Sequence, residues 1–187
     1  MKAGWTIAVM LMSVAGCSVA GSKHATEIGD DQVPYSLLDP EAPPAVPIVG
    51  GRGIEVCLLD GETVVVIDRR IEEAAGLLDI ISGLSATSAR ETAAGLQTAV
   101  GGADEIHDVT LRGGIAAVDF TATAAQTLTQ DPLATIAQIV CTLTRQPGIG
   151  SVRFTADGAA IDVPRSDGSL TDAPVAREDY ESLLAAS

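Results

Sequence analysis

The alternation of apolar and polar positions changes character near residue 54, and from there it predicts three β-hairpins. The segment "IEVCLLDGETVVVIDRRI" consists of two β-rich runs joined at Asp60-Gly61, which is a strong hairpin signal. A second hairpin, "IHDVTLRGGIAAVDF", turns at Arg112-Gly113-Gly114, and a third, "GSVRFTADGAAIDV", turns at Asp157-Gly158. We therefore expect three antiparallel strand pairs.

Two apolar stripes at helical spacing lie between these hairpins. The first stripe ends at Gly83 and consists of Ala74, Leu77, Leu78 and Ile81. The second helix is the clearer one, because Asp131 can cap it, Pro132 suits its first turn and Pro147-Gly148 ends it. Its apolar stripe consists of Leu133, Ile136, Ala137, Val140, Cys141 and Leu143. The order ββ-α-ββ-α-ββ predicts an α+β two-layer sandwich, with two helices packed on a mostly antiparallel sheet.

The pattern divides the chain into four parts. Residues 1–16 are expected to be a signal peptide, 17–53 a lipidated N-terminus and flexible tether, 54–164 the folded domain, and 165–187 a C-terminal extension. The tether is polar in its first half and rich in proline in its second. The extension ends in "REDYESLL", which is expected to return Tyr180, Leu183 and Leu184 to the domain as a short helix.

The first residues resemble a lipoprotein signal. Lys2 precedes an apolar run that is too short to span a bilayer, which needs about 20 apolar residues. The tetrapeptide Val14-Ala15-Gly16-Cys17 resembles the lipobox of bacterial lipoproteins, which implies cleavage before Cys17 and attachment of acyl chains, such as palmitate, to that residue. A secreted protein with a chance cysteine is the alternative. Since two or more acyl chains anchor a protein stably, we expect a cell-membrane location on the extracytoplasmic face.

The charge excludes one class of partner. The formal net charge is −14, and removal of residues 1–16 would make it one unit more negative. A body this acidic is repelled by phosphate backbones, so we expect no nucleic acid partner.

Candidate metal and phosphate sites are weak. His24 lies in the tether, where a solvated spacer is the favoured interpretation, and His107 lies among Asp104, Glu105 and Asp108. Carboxylates with an imidazole suit a divalent ion, but a solvated acidic loop is the alternative, and no second histidine stands at zinc-ligand spacing. The glycine pairs in "GGRG" and "GGAD" lack the Gly-Lys-Ser/Thr of a phosphate loop. No metal or cofactor is therefore predicted.

No catalytic set is evident. Asp119, at a strand end in "AVDF", is the best-placed carboxylate, but without a partner acid it gives no glycosidase geometry, and a turn or capping role is favoured. None of Ser85, Ser88 and Ser151 has a Gly-x-Ser-x-Gly context. The sequence therefore predicts a protein that is not an enzyme.

The other two cysteines allow two interpretations. Cys57 lies on the first strand and Cys141 on the core stripe of the second helix, and thiols of exported proteins tend to pair. Strand alternation, however, places Cys57 on the same side as Glu55, away from a helix packed on the other face. A disulfide and two buried thiols both remain open.

Three segments together resemble GerMN domains. They are "VCLLDGETVVVIDRRI" as the opening hairpin, "GGIAAVDF" as the turn-and-strand segment, and "AQIVCTLTRQPGIGSVRFTADG" as helix, turn and strand. The resemblance covers most of residues 54–163 in the family's order, and the tail from Asp167 to Leu184 is similar to actinobacterial lipoproteins of this group.

The resemblance implies a role in assembly or ligand binding at the cell envelope. GerMN domains occur in envelope lipoproteins, one of them linked to spore germination, and their fold is similar to ring-building modules of secretion machines. We therefore expect a lipid-anchored protein that binds an envelope protein partner, for instance by strand addition at an exposed sheet edge. The alternatives are a receptor for a small ligand or cell-wall fragment and, third, a cell-wall hydrolase that uses Asp119. Neither the partner nor the oligomeric state is specified.

Overall fold

The computed structural model describes residues 50–127 and 131–185, so the predicted signal, Cys17, His24 and the tether up to residue 49 lie outside the described residues. The elements, in chain order, are β1 (Arg52–Asp60), β2 (Thr63–Ile71), α1 (Leu77–Ser82), a 3-10 turn (Gly83–Ser85), α2 (Ala89–Ala93), β3 (Ile106–Arg112), β4 (Ile115–Phe120), α3 (Ala122–Thr127), α4 (Pro132–Thr144), β5 (Ser151–Ala156), β6 (Ala159–Ala160), β7 (Val163–Pro164), β8 (Leu170–Thr171) and a final 3-10 helix (Arg177–Leu183).

All three predicted hairpins are present. Strands β1 and β2, β3 and β4, and β5 and β6 form antiparallel pairs. The third turn is formed by Asp157 and Gly158, with φ angles of 49° and 79°, the left-handed conformation that a tight hairpin turn requires. This hairpin is shorter than expected, because Val163 pairs with Thr171 in a separate small sheet.

The strands form separate sheets. Strands β3, β4, β5 and β6 lie side by side in that order, and β1 with β2 forms a sheet of its own. Within the four-stranded sheet, β4 and β5 are parallel, because α3 and α4 carry the chain back across the sheet before β5 begins. The predicted α+β class with mostly antiparallel pairing is confirmed.

Helix α4 is the centre of the domain. Asp131 caps it as predicted, accepting a hydrogen bond from the N–H of Ala134 at 3.1 Å. Every residue from Thr135 to Leu143 is buried, and the helix packs against β1, β5 and β7. The predicted apolar stripe is therefore correct, but the buried surface of the helix is wider than that stripe, since polar residues of the helix are buried as well.

Two helical details differ from expectation. Helix α1 begins at Leu77, later than the apolar stripe suggests, because the carboxylate of Asp79 accepts the N–H of Gly76 at 2.7 Å and caps the helix there. Helix α3, in the segment after β4, was not predicted, and the hydroxyl of Thr121 accepts the N–H of Ala124 at its start.

The C-terminal segment docks as expected. Tyr180 is fully buried and donates its hydroxyl to the carbonyl of Pro164 at 2.8 Å, while Leu183 and Leu184 pack against the core. The segment forms a 3-10 helix, and its end reaches β2, where the N–H of Ala185 donates to the carbonyl of Val64. Among the described residues, no helix is long and apolar enough to cross a membrane.

Candidate binding groove at the edge of the first hairpin

One edge of the first hairpin is closed by side chains of α4 and of Gln146, which lies just after the helix. The N–H of Cys57 points away from β2 and donates to the hydroxyl oxygen of Thr142 at 3.0 Å. The side-chain amide of Gln146 donates to the carbonyl of Glu55 at 2.9 Å and so satisfies the same edge of β1. Helix α4 therefore takes the place that a third strand would occupy.

The same edge of β1 is also covered by the segment that follows α2, which contains Gln97 and Ala99. The backbone of Leu59 exchanges two hydrogen bonds with that of Gln97, at 2.9 and 2.8 Å. The side chain of Gln138 accepts the N–H of Ala99 at 2.9 Å, and the hydroxyl of Thr135 donates to the carbonyl of Ala99. These contacts hold the segment in place against α4.

Sequence reasoning missed this polar stripe of α4 and the turn after it. Thr135, Gln138, Thr142 and Gln146 recur every three or four residues, so the helical period places them on one face. A polar stripe usually faces water, and only its position beside an unpaired strand edge buries it here. The regular spacing of these polar residues could have indicated the contact, because the backbone groups of a buried strand edge need hydrogen-bond partners, which such side chains can supply.

The structure forms the disulfide between Cys57 and Cys141. Their Cα atoms are 6.0 Å apart, and both residues are buried. The disulfide interpretation is therefore confirmed over that of two free thiols. Strand alternation misled here because β1 is buried on both faces from Val56 to Leu59.

The opposite edge of the hairpin, on β2, is unpaired beyond Val64 as far as the described residues go. Cys57 pairs with Val66 and Leu59 with Val64, and the backbone groups of both β1 residues point away from β2. In an antiparallel pair, the residues opposite them on β2 also direct their backbone N–H and C=O groups outward, away from β1. The carbonyl of Val64 meets the C-terminal tail, whereas the outward backbone groups of Val66, Asp68 and Arg70 have no partner among the described residues.

A solvent-open groove of about 920 Å³ runs beside this edge. Its first wall is the end of β2, from Ile67 to Arg70, and its second wall comes from residues 86–96. Ile67 and Leu96 contribute apolar surface, and both are partly buried against the core. The groove thus combines an unpaired strand edge with an apolar and charged lining.

An ion pair holds the second wall in position. Arg69 binds Glu91 with two hydrogen bonds, Nε to Oε1 at 2.7 Å and Nη2 to Oε2 at 2.8 Å, and also donates to the carbonyls of Gly83 and Ala86. The Arg69 guanidinium, helped by the N–H of Ser88, lowers the pKa of Glu91 below its ordinary value of 4.5, against the opposing effect of burial. Because the donors of Arg69 are used, this pair is structural.

Two arginines remain available in the groove. Arg70 is exposed, and within the part of the chain that the structure describes its side chain makes one hydrogen bond, to the carbonyl of Gly51 at 3.1 Å. Arg90 is exposed and makes no side-chain hydrogen bond or ion pair with the described residues. An anionic group in the groove would therefore meet two solvated guanidinium groups.

Asp119 has the turn role favoured by the sequence. Its Oδ1 accepts the hydroxyl of Thr155 at 2.5 Å and the N–H of Gly158 at 2.9 Å, which ties the end of β4 to the turn between β5 and β6. The serines also have local roles, since Ser88 caps α2 and Ser85 donates to the carbonyl of Ser82. The structure brings none of these residues to the groove except Ser88, at its wall.

His107 is exposed at the start of β3, near Asp104, Glu105 and Asp108 in the chain. Within residues 50–127 and 131–185, no group of three or more histidine, cysteine and acidic side chains is placed to hold a metal ion. Nothing in this part of the chain therefore supports the divalent-ion interpretation.

Comparison with known proteins identifies the fold and the family. Comparison with curated protein sequences gives no significant match. The tandem GerMN domains of the sporulation protein GerM from Bacillus subtilis match with a TM-score of 0.56 and 22% identity, over 72% of this chain and 48% of that one. The first GerMN domain of the same protein matches with a TM-score of 0.49 and 15% identity, over 68% of this chain and 98% of that one.

The chain thus spans about half the length of the tandem structure it matches. A family model named Germane, described as "Sporulation and spore germination", matches residues 58–162, from β1 to the segment before β7. That match covers more than half of the sequence and agrees with the GerMN resemblance of its hairpins and of α4. The chain therefore belongs to the Germane family of GerMN-type domains.

Proposed function

We propose that this protein is an envelope lipoprotein whose Germane domain binds another envelope protein and performs no catalysis. The observation that carries the proposal is the open edge of β2 beside the groove, because an unpaired strand edge is a ready site for association with another chain. The hydrogen bonds of Asp119 Oδ1 to Thr155 and Gly158 support a turn role for the carboxylate that is the best catalytic candidate in the sequence.

The membrane part of the proposal depends on Cys17, which lies outside the described residues. Its support is the lipobox resemblance and the short apolar run in front of it. We expect the mature N-terminal peptide to begin at a Cys17 that carries acyl chains, which mass spectrometry of the membrane-extracted protein would show. A peptide that still begins at Met1 would contradict the anchor and the location together.

The interaction part is tested by affinity purification from detergent-solubilised membranes. The full chain should recover a specific envelope protein, and a chain lacking residues 54–163 should not. A Cys17→Ala chain, purified and mixed with solubilised membranes, is the matched control, since it keeps the domain and loses only the anchor. Recovery that depends on Cys17 but not on the domain would contradict this function.

The groove also favours a second candidate, a receptor for a small ligand or cell-wall fragment. Its volume of about 920 Å³ lies within the range of small-molecule sites, roughly 300–1,000 Å³. This candidate predicts that defined cell-wall fragments raise the melting temperature of the protein. No shift at millimolar concentrations, together with a domain-dependent protein partner, would exclude it in favour of the first.

A further inference from the structure

The edges of the sheets differ in how open they are. At β3, the carboxylate of Asp108 accepts the N–H of Val109 at 2.8 Å, and a bulge interrupts the register between Ile106 and Asp108. Such features protect edge strands from further pairing. The other end of the same sheet is β6, which is only two residues long. Strand β2 has nine residues, no bulge in its register with β1, and no outward amide bonded to a side chain of the described residues.

The start of the β2 edge already forms one β-bridge with the C-terminal tail of this chain. Leu184 forms a parallel bridge with Val64, and the N–H of Ala185 donates to the carbonyl of Val64 at 3.0 Å. The next outward residues, Val66, Asp68 and Arg70, continue the same row of donors and acceptors. The tail thus shows that the outward backbone of Val64 is accessible to parallel pairing with another segment.

The charge of the groove favours an acidic occupant. Arg69 and Glu91 neutralise each other in the wall. Among the described residues that line the groove, this leaves Arg70 and Arg90 against one exposed carboxylate, that of Asp68. This local excess of positive charge lies on a chain whose formal net charge is −14. An acidic side chain that is repelled elsewhere would be attracted at this position.

We propose that the β2 edge from Val66 to Arg70 is a strand-addition site for an extended, acidic segment of the partner protein. Main-chain hydrogen bonds to Val66, Asp68 and Arg70 supply the binding energy, and a carboxylate held by Arg70 and Arg90 supplies the selectivity. This inference rests on the proposed function and names the surface that performs it.

The sharpest test is a pair of substitutions at one position. Asp68→Pro removes an outward N–H, which an edge strand tolerates, whereas Asp68→Ala keeps that N–H and removes only the carboxylate. We expect Asp68→Pro to weaken recovery of the partner about tenfold or more, and Asp68→Ala to bind at least as well as the wild type. Circular dichroism and the melting temperature show whether both variants are folded.

A second measurement does not depend on substitution. Peptides selected from a phage-displayed random 12-residue library on the full, detergent-solubilised chain should be acidic and rich in β-branched residues. Adding an enriched synthetic peptide should protect the amides of Val66, Asp68 and Arg70 from hydrogen exchange. Failure to enrich any peptide, or protection at other residues only, would overturn the inference even if Asp68→Pro failed to fold.

Charge reversal tests selectivity. Arg90→Glu should weaken binding of the acidic peptide about tenfold, while Arg112→Glu, an equal change of charge at the exposed end of β3, should leave it within about twofold. Equal losses in the two variants would show a general effect of net charge and overturn the assigned selectivity.

The outcomes separate this inference from the function on which it rests. A partner that depends on residues 54–163 but binds Asp68→Pro normally would refute the β2 site and leave the proposed function intact. No domain-dependent partner would refute the function itself. A dimer in analytical ultracentrifugation that Asp68→Pro dissociates would show that a second copy occupies the edge, and would overturn the proposal of a different partner.

Discussion

Arg69 and Glu91 are joined by two parallel hydrogen bonds, Nε to Oε1 at 2.7 Å and Nη2 to Oε2 at 2.8 Å, in a site where their side chains are only 17% and 11% exposed. The pair connects β2 to α2, and Glu91 also accepts the N–H of Ser88 at the start of α2. Because the geometry is bidentate and water is largely excluded, this ion pair should stabilise the fold more than a surface pair would.

Replacing Glu91 with glutamine should reduce the free energy of unfolding by about 1–3 kcal/mol at pH 7. Arg69 lowers the pKa of Glu91 in the folded protein below 4.5, so folding favours the ionised carboxylate. That stabilisation is present above the pKa of the unfolded state and is lost as the pH falls through the lower folded pKa. Urea unfolding should therefore show that the wild type and Glu91→Gln converge as the pH drops below about 4.5.

Glu55 provides the matched control for this prediction. It pairs with Arg145 at 2.9 Å, but its side chain is 51% exposed. Glu55→Gln should cost less than about 0.5 kcal/mol at pH 7. A loss equal to that of Glu91→Gln, or a Glu91→Gln effect that does not change with pH, would contradict the assignment.

The Cys57–Cys141 disulfide should account for a large part of the stability. It connects residues 84 positions apart, and the chain-entropy estimate for a loop of that length is about 4–5 kcal/mol. We expect a phosphine reductant to lower the melting temperature of the wild type markedly. A Cys57→Ala/Cys141→Ala chain should melt at the lower temperature with or without reductant. If reduction left the wild-type melting temperature unchanged, the bridge would not contribute to stability.

Thr142 should matter more than its neighbour Thr144, although both are threonines on α4. Thr142→Val leaves the buried N–H of Cys57 without an acceptor, which should cost about 1–3 kcal/mol and speed hydrogen exchange at that amide. The hydroxyl of Thr144 donates only to carbonyls of the preceding helical turn, those of Val140 and Cys141, so Thr144→Val should change stability by less than about 0.5 kcal/mol. Comparable effects in chemical denaturation would argue against the edge-closing role of α4.

Asp119→Ala should destabilise the hairpin of β5 and β6. It removes the acceptor of both the Gly158 N–H and the Thr155 hydroxyl, with an expected cost of about 1–2 kcal/mol. Asp172→Ala, at an exposed position with no side-chain partner among the described residues, is the control and should be nearly neutral.

Loss of a cell-wall hydrolase activity in a folded Asp119→Asn protein would instead support the enzymatic alternative.

The elements that could be predicted are those governed by short-range signals. The turns at Asp60-Gly61 and Asp157-Gly158, and the start of α4 at Asp131, depend on the backbone preferences of two to four adjacent residues. The buried stripe of α4 and the docking of Tyr180 follow from apolar spacing of the same short range. The lipid anchor at Cys17 stays a prediction.

The contacts that could not be predicted join distant parts of the chain. Periodicity identifies a face of a helix or strand but not what covers it, so the disulfide could not be decided from β1 alone. The parallel pairing of β4 with β5 depends on how α3 and α4 cross the sheet, and the groove depends on where α2 packs beside β2. Each is a consequence of packing between separate elements.

The sequence by itself determined the hairpins, the long helix, the acidic charge and the cysteines available for pairing, because these follow from composition and local conformational preference. Tertiary structure alone decided that the edge of β1 is closed, and that the edge of β2 beyond Val64 is left without partners in the part of the chain that the structure describes. The hydroxyl of Thr142 accepts the N–H of Cys57, which lies 85 positions earlier in the sequence, and no local pattern can specify that partner. The physical reason is that backbone groups at a strand edge must be satisfied by whatever the packed core places beside them.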